Sequence, residues 1–102
     1  MAQTPQTPNV EAQRAAMKKL DFLVGDWSGQ ASATRGAGVV VEMNQTESAQ
    51  FKLGGLILMI EGIGRTKADG DLALQALGLI SFDDATGTYR MRAYNDGRWL
   101  ET

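Results

Sequence analysis

Gln45 and Glu47 interrupt a strand-like alternation that is otherwise apolar, since Met43, Ala49, Phe51 and Leu53 share their phase. An amide beside a carboxylate is the kind of polar pair that orients a ligand inside an apolar cavity. Left without partners in such a wall the two groups would be costly, so they meet an arginine, water or a ligand. An internal salt bridge or a solvated rim explains the pair without a ligand, and both readings stand at this stage. Apolar surroundings also make a carboxylate a better base, so Glu47 is the candidate general base if the chain is an isomerase or cyclase.

Other chemistry is excluded or weak. Histidine and cysteine are both absent, which removes disulfides, thiol nucleophiles, imidazole metal sites and His-dependent triads. No metal, cofactor or catalytic set is expected. Asp69-Gly70-Asp71 and Asp83-Asp84 hint at calcium but lack the spacing of a calcium loop and sit at turn signals. Asn44-Gln45-Thr46 has the form of a glycosylation acceptor but falls in mid-strand. The methionines, Met43, Met59 and Met91 among them, read as core filler. Ten basic side chains against twelve acidic ones give a net charge of −2, with no basic cluster beyond Lys18-Lys19, so nucleic acid is not an expected partner. The longest apolar run, 53–60, contains two glycines and is far short of a bilayer span of about 20 residues, so no membrane insertion is expected.

The elements that must position the polar pair are one helix and a series of strands. Residues 1–8 are polar and proline-punctuated, and read as a flexible tail. This is the expected start of a mature exported chain whose signal peptide has been removed, in the periplasm or secreted; a cytoplasmic tail is the alternative. Residues 9–102 form the single domain. Thr7-Pro8 suits a helix start, Ala16, Leu20 and Leu23 follow at helical spacing, and Gly25 ends a helix over about 9–24. Turn signals then divide the chain into strands near 26–35, 39–53, 56–66, 72–83, 88–95 and 98–102, joined by short loops into an antiparallel meander. The second strand would span about 50 Å if straight, at roughly 3.3 Å per residue, so it must curl.

Turns also set the register. A two-residue turn at Gly54-Gly55 pairs positions summing to 109, which gathers Met43, Ala49, Phe51, Leu53, Leu56, Leu58 and Ile60 on one face and sets Glu42 opposite Lys67. Gln45 and Glu47 then lie opposite Gly64 and Gly62 and face a gap. The four-residue turn 84–87 sets Phe82 opposite Tyr89 and Ile80 opposite Met91. The turn at Asp96-Gly97 sets Tyr94 beside Trp99 and Arg92 beside Glu101. A bulged loop near Asp69-Gly70 turns Leu74, Ile80 and Phe82 inward. Gly29, Ala31 and Ala33 follow Trp27 at period two, so small residues leave room above a tryptophan expected to plug one end. Trp27, Met43, Gln45, Glu47, Phe51, Tyr89 and Met91 are the residues expected to line the cavity.

These residues carry a resemblance. Gly25-x-Trp27 after a short helix, with Gln45-Thr46-Glu47, Leu53-Gly54-Gly55-Leu56, Glu61-Gly62, Ser81-Phe82-Asp83 and Tyr89-Arg90-Met91-Arg92-Ala93-Tyr94, resembles a bacterial family of lipocalin-like (calycin-type) domains of unknown function. The run Phe22-Leu23-Val24-Gly25-Asp26-Trp27-Ser28-Gly29, with Ala31 and Ala33, is more distantly similar to the nitrobindin-like haem-binding barrels. The resemblance implies an all-β fold with one N-terminal helix, its antiparallel meander forming a barrel or, lacking the family's C-terminal strands, an incomplete barrel. It implies non-catalytic binding of a small apolar or amphipathic molecule in a lumen. The haem-ligating histidine of nitrobindins has no counterpart in this sequence. A third reading is an assembly module: six strands cannot readily close around a cavity, the free edges attract another chain, and Ile57, Met59, Ile63, Leu77 and Leu79 form an outer apolar patch. A homodimer is the expected partner arrangement.

Overall fold

The computed structural model describes residues 7–35 and 37–101. The helix α1 runs over Val10–Lys18, and six strands follow: β1 (Gly25–Arg35), β2 (Val39–Lys52), β3 (Ile57–Thr66), β4 (Leu72–Asp83), β5 (Thr88–Asn95) and β6 (Arg98–Glu101). They pair in chain order as one antiparallel sheet, β1-β2-β3-β4-β5-β6. Each strand pairs with its sequence neighbour because the loops are too short to reach further. Among the described residues β1 and β6 do not pair with each other, so the sheet is open. The expected all-β antiparallel meander with one N-terminal helix is what forms, and among the described residues it is an open sheet rather than a closed barrel.

The register follows the turns. Gln45 pairs with Gly64, Glu47 with Gly62 and Phe51 with Leu58, all summing to 109. The connection is wider than a two-residue turn, however. Lys52 and Ile57 are the last pair, and Leu53, Gly54 and Gly55 take φ of 52°, 62° and 92°. Leu53 is therefore not on the inner face but 72% exposed in the loop. Asp96 and Gly97, at φ 49° and 88°, form the tight hairpin turn that Asp-Gly favours. Leu74, Ile80 and Phe82 do face inward. The extra residue that turns them lies inside the ladder, where the register shifts between Gly64 and Arg65, rather than in the loop.

The helix is shorter than its apolar stripe predicts. The amide N–H groups of Lys19 and Leu20 bond three residues back, to the Ala16 and Met17 carbonyls, and a 3-10 turn over Asp21–Leu23 leads into β1. No glycine or proline marks this stop. The tighter winding keeps both Leu20 and Leu23 against the sheet. Gly25 begins β1 instead of capping the helix. The N-cap is Asn9, not Thr7: its side-chain oxygen accepts from the Ala12 N–H at 3.0 Å. The tail expected over 1–8 falls almost wholly outside the described residues.

A nine-residue helix is marginal alone. Here Met17 is fully buried with Leu58 and Ala49, and Phe51, Ile60, Ile80 and Phe82 surround them. Hydrogen bonds fix the helix over this end of the sheet: Arg14 Nε to the Gly54 carbonyl at 2.9 Å, and Tyr89 Oη to the Ala16 carbonyl at 2.9 Å. Asp84 accepts from the Gln13 side chain at 2.6 Å and from the Asn9 N–H at 3.0 Å. Those two donors hold the Asp84 carboxyl below the usual aspartate value of 3.8. A depressed carboxyl adds stability above the ordinary value and loses it as pH falls through the lowered one. In an acid titration, the Asn9 and Gln13 amide signals should therefore move with a midpoint below pH 3.8. A midpoint at or above that value would show the contact is not made in solution.

Candidate functional site

The inner face, on which α1 rests, divides into two regions. One end is the core beneath the helix. The other, built by the middle of β1, β2 and β3, is left uncovered, and Trp27, Gln45 and Glu47 stand there. Trp27 is directly opposite Glu47 on β2, and Glu47 is opposite Gly62 on β3. Directly opposed side chains start about 5 Å apart. Gln45 donates from Nε2 to Glu47 Oε1 at 3.0 Å, so the amide and the carboxylate hold each other rather than an arginine. Gly62 makes room for them: a Cβ there would lie 3.7 Å from Glu47 Cγ and 3.9 Å from Gln45 Nε2.

Two adjoining depressions meet at Trp27 and Glu47. One of ≈ 200 Å³ is lined by Leu23, Trp27, Glu47, Ala49 and Ile60, the other of ≈ 250 Å³ by Trp27, Ser28, Gly29, Gln30, Gln45 and Glu47. Larger but shallow hollows of ≈ 570 and ≈ 410 Å³ are lined chiefly by side chains of the outer face, among them Glu61, Ile63 and Tyr94 in the first and Asp26, Ser48 and Glu61 in the second. The first also gathers Tyr94, Gln75, Glu61 and Asp96, and the second reaches Trp27 and Glu47 from the other side of β1 and β2. On the inner face alone do the indole, the amide and the carboxylate stand on directly paired and alternate positions, with Gln45 bonded to Glu47.

Trp27 is not an end plug. It is 54% exposed, because β1 is an edge strand and only β2 flanks it. Its indole N–H donates to the Leu23 carbonyl at 3.0 Å, which ties the ring to the turn that precedes β1. With about half the ring in solvent, Trp27→Ala should cost about 1–2 kcal/mol, less than the ~3–5 kcal/mol of a buried aromatic. Denaturant unfolding measures this, and a loss above about 3 kcal/mol would mean that something covers the ring in solution.

The remaining lining residues are scattered. Met43 is buried at 2% exposure and lies against Gly64, where an added Cβ would be 3.0 Å from its Sδ; it lines neither depression. Phe51 belongs to the core under α1. Tyr89 stacks edge-on against Phe82 with centroids 5.1 Å apart and bonds to α1, far along the face from Glu47. Met91 sits over Gly78, where an added Cβ would lie 3.2 Å from Met91 Cε. Leu23 also lines the groove, although its spacing places it in the helix stripe; nothing in the local pattern signals that its carbonyl anchors Trp27. Glu47 itself is exposed, so the desolvation on which a general-base role rested is missing.

The turn carboxylates are spent on structure. Asp69 accepts from the Thr66 hydroxyl and the Asp71 N–H. Asp83 accepts from the Ala85 and Thr86 N–H groups and pairs with Arg90 at 3.0 Å. No helix among the described residues is long and apolar enough to cross a membrane.

Fold and site together define the class: an all-β protein whose open antiparallel meander carries one helix across one end and leaves an aromatic–carboxylate groove at the other. No family model, curated protein or solved structure matches the chain.

Proposed function

We propose that the inner face binds a small apolar or amphipathic molecule without transforming it, in a groove open to solvent rather than in a lumen. The observation that carries this reading is the exposed, anchored Trp27 beside a Gln45–Glu47 pair on an otherwise apolar wall. Exposure alone does not set Trp27 apart, since Phe22 is 67% exposed; the amide and carboxylate beside its anchored ring do, because pockets combine aromatic lining with a few placed polar groups. The lipocalin-like resemblance of the segment around Gly25 and Trp27 agrees with it. Nile red, a neutral apolar dye, tests the site. It should bind with a blue-shifted emission, and Gly62→Leu, which fills the gap opposite Glu47, should weaken binding at least tenfold while unfolding stays unchanged. Equal binding by both proteins would place the dye elsewhere and remove the reading.

The second reading is self-assembly, favoured by the two free edges, β1 and β6. The outer face adds Ile57 and Met59, with Leu79 opposite Met59, and Ile63, which is 38% exposed. Unpaired edges and such a patch are most simply satisfied by a homodimer. Sedimentation equilibrium at micromolar concentration should then give twice the mass of the chain, and a clean monomer would exclude it.

A further inference from the structure

We infer that the ligand of the inner-face groove is an organic cation: an ammonium group, primary to quaternary, on an apolar body. This rests on the small-molecule reading above and specifies its chemistry. The register places Trp27, Gly29, Ala31, Val41, Met43, Gln45, Glu47, Ala49 and Phe51 on that face, followed by the apolar and glycine positions of β3 and β4. Glu47 is the one formally charged side chain among them that the structure describes. Every other charged residue of β2, β3 and β4 falls in the opposite phase, and the ion pairs found there, Lys67–Glu42 and Arg90–Asp83, are on the outer face. Arg14 of the helix is turned to the Gly54 carbonyl. By register Arg35 at the far end of β1 and Arg98 on β6 also fall in the inner-face phase, eight residues from Trp27 and four strands from Glu47, and no described cationic side chain bonds to the Glu47 carboxylate.

Its surroundings match an ammonium ion. The Gln45 amide is a neutral donor: it fixes one oxygen of Glu47 and leaves the net charge of the groove at minus one. Directly across the ladder stands Trp27, whose N–H, the most positive edge of the ring, is already given to the Leu23 carbonyl. What the ring offers a ligand is its electron-rich face. An aromatic face and a carboxylate on directly paired residues can bind a cation by cation–π attraction and direct charge pairing together. A carboxylate or sulfate ligand would instead meet Glu47 as a like charge, with no positive side chain among those lining the two depressions to offset it. Leu23, Ala49 and Ile60, on the helix side of the pair, supply the apolar floor for the rest of the molecule.

Three probes with the same chain separate the possibilities: octyltrimethylammonium, octanol and octanoate, each titrated calorimetrically into the full chain below micelle-forming concentrations. The expected result is octyltrimethylammonium binding at least tenfold tighter than octanoate, with octanol between them. Glu47→Gln, on an exposed side chain and read alongside circular dichroism to show an intact fold, should close the gap between the cation and octanol and leave octanol unchanged. Octanoate binding as well as the cation, or a cation preference that survives Glu47→Gln, overturns the inference. If all three bind alike, the small-molecule reading stands and the cation assignment falls. If none binds, both fall.

Discussion

Leu58→Ala is expected to remove about 2–5 kcal/mol, the range for emptying a fully buried leucine site. Leu58 has no exposure, and the other buried apolar side chains among the described residues are Met17, Met43 and Ala49. A sheet that does not close and one short helix leave little else to compensate. Small domains hold only ~5–15 kcal/mol in total, so this single change takes a large share. Each kcal/mol lowers Tm by roughly 4–8 °C in a domain of this size. The melt followed by circular dichroism should therefore fall by about 8–40 °C. Ile63→Ala, on the outer face of the next strand position but one from Glu61, is the control and should change Tm little. If the two variants melt alike, the core is not where α1 meets the sheet.

The second large effect concerns a glycine. A Cβ at Gly64 would stand 3.0 Å from Met43 Sδ and 3.1 Å from Leu74 Cβ. The methionine sulfur can swing aside, but Leu74 Cβ is fixed to the β4 backbone beside the register shift at Gly64 and Arg65. Gly64→Val should thus cost about 1–3 kcal/mol by overpacking, with the bulge forced to open. Gly62, two residues earlier on the same face, behaves differently. Its nearest neighbours to an added Cβ are at 3.7 and 3.8 Å, an ordinary contact distance. Gly62→Ala should be neutral or gain about 0.5 kcal/mol, since alanine gives up less backbone entropy than glycine in a strand. Denaturant unfolding of the two variants side by side decides it; equal losses would mean the bulge does not hold Leu74 where the structure has it.

What was legible in the sequence is what short-range geometry fixes. Turn residues two to four apart dictate which strands pair and in what phase, because a hairpin closes before anything distant is consulted. Hence Glu47 opposite Gly62, Phe82 opposite Tyr89 and Glu42 beside Lys67 all follow from the positions of Gly54-Gly55 and 84–87. The alternation of apolar and polar residues then names the inner face, including the exceptional pair Gln45 and Glu47. Tertiary structure decided everything that depends on what covers that face. The pattern marks Trp27 as inward, but whether an inward side chain is buried depends on a strand beyond β1, and none pairs there among the described residues. The helix stops at Lys18 although its stripe continues, because Leu20 and Leu23 reach the core only through a tighter turn. Asn9 caps the helix, and Asp84 grips its first turn from 75 residues away, a distance over which local pattern carries no information. The same limit holds at the groove. The pattern marks Glu47 as a polar group needing a partner, and only the assembled sheet shows a neutral amide on one side, an anchored indole on the other and no cation bonded to it among the described residues.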